Sequence, residues 1–468
     1  MVFNSASFLG FFLIVFLGYW SLRGRWRMQN HLLLLASYVF YAFWDWRFPA
    51  LMAITTVVDY VMTGLMRSSP DKRKAYLWIS LASNLGVLFA LKYFNFFQDN
   101  VISVLGQLGV EASPLFTGIF LPVGISFYTF QRLTFVIDAY REPAREPVGL
   151  PDFALFVSFF PLLLSGPIER AKQFMPQLLG PRVITAAHIE EGLWLVSWGL
   201  FKKVFVADNL AVLVNPVFAE DWHGSGGHAL VALYAYAFQI YCDFSGYSDV
   251  AKGIARLLGF DVRWNFNLPY FATNPSDFWR RWHISLSTWL RDYVFIPLGG
   301  SWGGTWRTAR NLMATMALVG LWHGAAWNYI VWGLYHGLLL TGYRAMLGGD
   351  GKKAPRSVWT VVPSILLMFH LTCLGWLLFR VSSLHQAWHL LSVMASGISL
   401  PDVSATALWN LSGYVALLLA VQLFQLRKGS LFVLERAPVA VKGIAYGALF
   451  YLTVLHGGTS NSFIYFQF

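Results

Sequence analysis

Residues 311–343 read NLMATMALVGLWHGAAWNYIVWGLYHGLLLTGY and contain no Asp, Glu, Lys or Arg. An α-helix needs about 20 predominantly apolar residues to cross a hydrocarbon core about 30 Å thick, so this run reads as helix at membrane depth. His323 sits inside it, roughly 20 Å along the helix from Arg310 at ~1.5 Å per residue. An ionisable group at that depth is costly, and its default reading is functional. The alternative is a neutral histidine that hydrogen-bonds across helices beside tryptophan and glycine. Gly320 and Gly324 leave room next to the ring for a neighbouring helix or a substrate. His336, nearer the basic Arg344, reads as a histidine at the membrane boundary.

The rest of the chain has the same character. Of its 468 residues 57% are hydrophobic and 12% charged, with 21 Trp and 40 Phe, whereas soluble globular chains carry roughly a quarter charged residues. This composition excludes a soluble domain with one greasy helix and requires many spans. Cys242 and Cys373 lie in apolar surroundings without CxxC spacing, so neither a disulfide framework nor a thiolate metal site is indicated. The N-terminal segment lacks a basic leader region and an A-x-A cleavage site, and reads as a retained first span.

The formal charge of +11 is explained by loop position, without nucleic acid as a partner. Five spans are expected near 7–22, 31–46, 51–66, 76–96 and 115–137. The loop after the first holds Arg23, Arg25 and Arg27; that after the second has only Arg47, balanced by Asp45. RSSPDKRK after the third holds Arg67, Lys72, Arg73 and Lys74, residues 99–115 hold no basic group, and Arg141 and Arg145 follow the fifth. Later, Arg344, Lys352, Lys353 and Arg356 mark one inside loop and Arg427, Lys428, Arg436 and Lys442 another, with residues 382–404 between them free of Lys and Arg. Alternate loops are basic, which places both termini outside the cytoplasm and implies an even number of spans.

Between residues 151 and 300 the apolar stretches are shorter, broken by Pro161, Pro167, Pro176, Pro269, Pro275 and Pro297 and interspersed with charges. Broken polar backbone at membrane depth is tolerated where protein buries it or a wet cavity takes it up, so a re-entrant central chamber is expected. The organisation is then N-terminal membrane helices over residues 1–140, a central chamber carrying the histidine motifs over 141–345, and C-terminal membrane helices over 346–468, with spans near 358–379, 409–426 and 443–455. These form one integrated all-α domain. No internal repeat supports an inverted-repeat transporter.

Two further stretches carry candidate chemistry. DFWRRWHISLSTWLRDY, residues 277–293, read as one helix places Trp279, Trp282, Leu286, Trp289, Leu290 and Tyr293 on one arc, Arg280, Ser287 and Arg291 on another, and His283 at the edge. It reads either as an interfacial helix anchored by Trp and Arg or as a segment aimed at a site, because NFNLPYFATNPS and an N-cap at Asp277 pin its start. In YCDFSGYSDVAKGIARLLGF, residues 241–260, Asp243, Ser245 and Asp249 interrupt an apolar segment that Gly246 loosens. The carboxylates form a cation or proton site, or they pair with Lys252, Arg256 or the arginines of the preceding motif. PVGISFYTFQ (122–131) and FFPLLLSGPIER (159–170) read as kinks. No P-loop, dinucleotide fingerprint, HExxH or G-x-S-x-G pattern accompanies them.

Taken together, FWRRWHISLSTWLRDYVFIPLGG, GLWHGAAWN, PVGISFYTFQ, GPIER, YCDFSGYSD and the terminal FIYFQF resemble the membrane-bound O-acyltransferase family over nearly the whole chain. The similarity is greatest to its bacterial members that acetylate alginate or cellulose, with the teichoic-acid D-alanylating members more distant. The resemblance implies a bundle of about eleven spans around a transmembrane tunnel, with His323 as catalytic histidine and His283 at a second polar position that other branches fill with Asn or Asp. After PLGG many relatives show Asn-Arg where this chain has Ser301 and Trp302.

The expected mechanism follows. A neutral His323 serves as general base on an acceptor hydroxyl, and His283 orients the donor carbonyl or stabilises the oxyanion. Arg280, Arg281 and Arg291 offer charges for the phosphates of a cytoplasmic acetyl-CoA; Trp282, Trp322, Asp243, Ser245 and Asn328 line the chamber. No cofactor or metal is expected to be bound. The resemblance further implies an inner-membrane location and relay of acetyl to a periplasmic SGNH-type acetyltransferase that modifies an exopolysaccharide. An exporter or flippase of polysaccharide is the alternative, since it too would carry intramembrane polar groups and broken helices.

Overall fold

The computed structural model describes residues 1–116, 118, 120–142, 146–346, 357–397, 405–459 and 463–464. Arg145, Lys352, Lys353, Arg356 and residues 465–468 of FIYFQF lie outside them. Among the described residues the chain is helical and forms no strand. Among the described residues four helices suit a membrane crossing by length and apolarity, Arg47–Ser68, Pro70–Gln107, Val358–Arg380 and Ala405–Lys428, with Ala6–Ser21 and Val439–Leu455 as shorter apolar helices. The chain divides into two compact units, Met1–Gly192 with Ala251–Arg263, and Leu193–Val250 with Trp264–Phe468.

The first unit carries the expected N-terminal helices with shifted ends. The helix expected at 76–96 runs on through a π turn at Phe89–Tyr93 to Gln107, because no Gly or Pro falls between Gly86 and Gly106. The one expected at 115–137 starts only at Ile125. Pro122 disfavours helical backbone in the residue before it, and Gly124 takes a left-handed φ of 78° with its Cα against the Leu163 carbonyl, where a Cβ would lie 2.6 Å away. Asp59 and Arg132 are fully buried and paired at 3.7 Å. Asn84 donates to both Asp59 oxygens at 2.8 and 3.0 Å and the Ser80 hydroxyl to one of them, while Arg132 reaches Thr55.

The second unit differs from the sequence reading in five respects. The uncharged run around His323 is two helices, Thr305–His323 and Trp327–Met346, broken at Gly324. The expected single amphipathic helix over 277–293 is split into Pro275–Arg281 and Ile284–Leu290 with a turn at His283. Asp277 is not the N-cap: Asn274 is, its side chain accepting from the Asp277 amide at 2.8 Å while Asp277 accepts in return from the Thr273 amide at 3.3 Å. Gly246 does not loosen its segment, which is the unbroken 32-residue helix Gly226–Leu257. Its missing side chain instead lets that helix approach Gly199, whose carbonyl would lie 2.7 Å from a Cβ. Within residues 382–404, read as a loop, Leu384–Ser396 is helical. Its signal is Ser383 followed by Gln386: the Ser383 hydroxyl accepts from the Gln386 amide at 3.1 Å, and the Gln386 side chain accepts from the Ser382 amide at 2.9 Å.

Candidate active site

Two buried imidazoles meet in the second unit. His323 is the last residue of its helix, and the chain turns at Gly324 into the antiparallel helix Trp327–Met346. Small residues allow the two helices to touch through backbone: a Cβ on Gly320 would collide with the Tyr329 carbonyl, and one on Gly333 with that of Met316. His323 is thereby fixed at the end of a rigid pair. Its ring stands edge-on to Trp322, Trp332 and Phe379, with centroids 5.0, 5.0 and 5.2 Å away. Asn328 begins the returning helix and donates to the Val381 carbonyl at 2.9 Å, tying it to the end of the helix Val358–Arg380.

His283 comes from the other side through an unusual backbone. It has φ 42° and ψ 54°, and with Leu268 it is one of two described non-glycine residues in the left-handed region. Such a conformation costs an L-residue of this kind roughly 1–2 kcal/mol, so the surroundings must impose it. Residues 265–267 do so: the Asn267 amide donates to the Arg281 carbonyl and the Ile284 amide to the Asn265 carbonyl, both at 2.9 Å, bracketing the turn. The Asn265 side chain accepts from the Ser285 hydroxyl at 2.8 Å and donates to Ser248 at 3.2 Å. Trp282, fully buried, anchors the turn against Trp376 at 4.6 Å, Phe266 at 5.0 Å and Phe278 at 5.7 Å.

The His283 and His323 ring centroids are 6.3 Å apart, and both residues are at most 2% exposed. One oxygen-bearing group between them would touch both rings, which is the geometry a base and an oxyanion or carbonyl partner require. Trp322 closes one side, 5.6 Å from His283, and Phe244 lies edge-on to His283 at 4.7 Å.

The carboxylates are placed differently from the expectation that Asp243 and Asp249 pair with Lys252, Arg256 or Arg280, Arg281 and Arg291. A π turn at Phe201–Ala207 brings two consecutive lysines onto the helix Gly226–Leu257. Lys203 pairs with Asp243 at 2.7 Å and with Asp208 at 2.8 Å; Lys202 pairs with Asp249 and donates to Ser245, both at 2.8 Å. Lys252 and Arg256 instead meet Asp261 and Glu191 in the first unit. The second oxygen of Asp243 accepts the Ile464 amide at 2.7 Å, and the neighbouring Phe463 packs on Tyr247 at 4.4 Å and Phe244 at 5.9 Å. Asp243 thus ties the end of the described chain to the ring that backs His283. Lys202, Lys203, Asn265 and Phe244 escape a reading of the sequence; only the Ser-Asn-Ser hydrogen-bonding potential of Ser248, Asn265 and Ser285 hints at a turn.

Of the three arginines assigned to donor phosphates, Arg280 and Arg291 have side chains 64% and 59% exposed, Arg281 26%. Arg281 pairs with Asp277 at 3.0 Å and Arg291 with Asp292 at 2.7 Å. His336 is fully buried within protein, stacked on Phe278 at 5.8 Å and edge-on to Trp332 at 5.0 Å. Among the described residues no three His, Cys, Asp or Glu side chains converge as a metal site.

Comparison with known proteins gives a consistent set of relatives. The sequence model of the MBOAT, membrane-bound O-acyltransferase, family matches residues 38–349, which include both histidines. The chain is 43% identical over 403 residues to the probable alginate O-acetylase of Pseudomonas aeruginosa, covering 85% of this chain and 75% of that protein. It is 35% identical over 446 residues to the peptidoglycan O-acetyltransferase of Helicobacter pylori, covering 87% and 82%. The teichoic acid D-alanyltransferase of Bacillus subtilis is 32% identical over 278 residues, covering 56% and 70%.

Proposed function

Because this chain belongs to the membrane-bound O-acyltransferase family and is an O-acyltransferase, we propose that His323 and His283 carry the transfer of an acetyl group from acetyl-CoA toward an exopolysaccharide, of which alginate is the favoured candidate. The observation that supports this is the 6.3 Å pairing of two buried imidazoles. The acceptor hydroxyl loses its proton to His323 as its oxygen attacks the acyl carbon. His283, held in its left-handed turn, contacts the carbonyl oxygen as negative charge develops there. The thioester carbon–sulfur bond then breaks, and the proton passes from His323 to the departing thiolate. Aromatic walls of Trp322, Trp332, Phe244 and Phe379 exclude water, which would otherwise compete as acceptor.

In this reading the donor stays on the cytoplasmic side, where Arg280, Arg281 and Arg291 meet its phosphates, and the acyl group alone crosses a tunnel within a bundle of about eleven spans. The protein lies in the bacterial inner membrane with its N-terminus periplasmic, and a periplasmic SGNH-type acetyltransferase takes the acetyl on to the polymer. Alginate is favoured over peptidoglycan because identity to the alginate relative is higher. Inverted membrane vesicles given acetyl-labelled acetyl-CoA test the donor and its side. Label should enter an acceptor in inverted vesicles and fall at least tenfold in right-side-out ones. Equal incorporation from both sides would contradict the assigned sidedness, and none from either would contradict the donor.

A further inference from the structure

The helix that ends at His323 starts, at its other end, in a glycine-rich turn, residues 297–304, which frames an open cavity of about 330 Å³ lined by Leu298, Trp302, Gly303, Arg307, Arg310 and Asn311. Arg307 lies across Gly303: a Cβ there would stand 2.8 Å from the Arg307 Cδ, and the backbone φ is 89°. The left-handed backbone favours glycine at this position, and the Arg307 side chain lies against it. Arg310 is held by donating to the Asn311 side chain at 3.2 and 3.0 Å, and Asn311 by donating to the Gly300 carbonyl at 3.1 Å. The returning helix brings Arg344 to the same end, its guanidinium donating to the Ser301 hydroxyl at 3.2 Å.

There is no Asp or Glu between Asp292 and Asp350, and neither Arg307 nor Arg310 forms an ion pair among the described residues. Trp302, which lines the cavity, is 84% exposed, and Trp306, next to Arg307 in the sequence, is 81% exposed. Arg307 and Arg310, three residues apart, share one helix face. Tryptophan belongs at the level of lipid headgroups, where its ring is half in hydrocarbon. Clustered arginines there attract anionic lipid and bind phosphate oxygens bidentately.

We infer that this cavity binds the phosphodiester headgroup of an anionic membrane lipid, with Arg307 and Arg310 on the phosphate and Trp302 and Trp306 against the glycerol and upper acyl chains. A free phosphate or a soluble phosphorylated donor would leave the two indole rings uncovered. The basic end of this helix pair belongs to the cytoplasmic leaflet by the positive-inside rule. The inference does not rest on the acyl-transfer reading.

The test measures lipid preference of the full chain in nanodiscs of phosphatidylcholine doped with phosphatidylglycerol, read as relative retention of the two lipids by native mass spectrometry. Wild type should retain phosphatidylglycerol preferentially. The Arg307→Gln/Arg310→Gln pair should lose that preference by about fivefold per arginine removed. Arg427→Gln/Arg436→Gln removes equal charge elsewhere and should leave the preference intact. An unchanged preference in the first pair, or an equal loss in both, overturns the site. Displacement of the retained lipid by coenzyme A alone also overturns it and makes the cavity a donor-phosphate subsite.

Discussion

At the scale of single residues, the site depends on a histidine held in a backbone conformation that histidine disfavours. Asparagine tolerates the left-handed region better than most residues and β-branched side chains tolerate it poorly. His283→Asn should therefore accumulate in membranes at the wild-type level yet lower acetylation at least tenfold, whereas His283→Val should lose protein as well; a blot beside an acetyl assay separates the two. Full acetylation by His283→Asn would remove the imidazole from the chemistry. Asn265 touches no substrate in this account and acts through the turn. Asn265→Ala strands the buried Ser285 and Ser248 partners, a loss of about 1–3 kcal/mol, and should depress turnover more than apparent donor affinity. The burial of His323 was readable because its run carries no charge. Its meeting with His283 was expected from the family resemblance alone, because a left-handed turn at histidine carries no Gly or Pro marker.

At the scale of elements, the fold rests on close backbone approach and on buried ion pairs. Gly333 faces the Met316 carbonyl with no room for a Cβ. Gly333→Leu should thus abolish accumulation of folded protein, while Gly342→Ala, where a Cβ meets nothing within 4 Å, should be neutral by size-exclusion profile. Asp59→Asn leaves Arg132 buried without its counter-charge, and removing one partner of a buried pair costs about 3–5 kcal/mol. Its apparent melting temperature in detergent should fall by many degrees, and an unchanged value would show that the pair is not a structural anchor. Apolar periodicity located most of these helices. It missed what depends on register: the π turn at Phe201–Ala207 rotates Lys202 and Lys203 relative to a 3.6-residue period, so their partners Asp249 and Asp243 could not be paired by spacing.

At the scale of the whole molecule, the charge alternation of the loops makes an orientation testable, and the chain's own cysteines, Cys242 and Cys373, are buried and silent to impermeant reagents. Ser113→Cys should react with a membrane-impermeant maleimide in intact spheroplasts, and Ser68→Cys only after lysis. The reverse pattern would invert the protein and place Arg307 and Arg310 outside. The central claim, that His323 is the base of an acyl transfer, is tested most directly by the acetyl content of exopolysaccharide from cells producing wild-type or His323→Ala protein at equal membrane level. The account predicts loss of polymer acetyl in the variant with polymer yield retained. Unchanged acetyl content at equal protein level would contradict it.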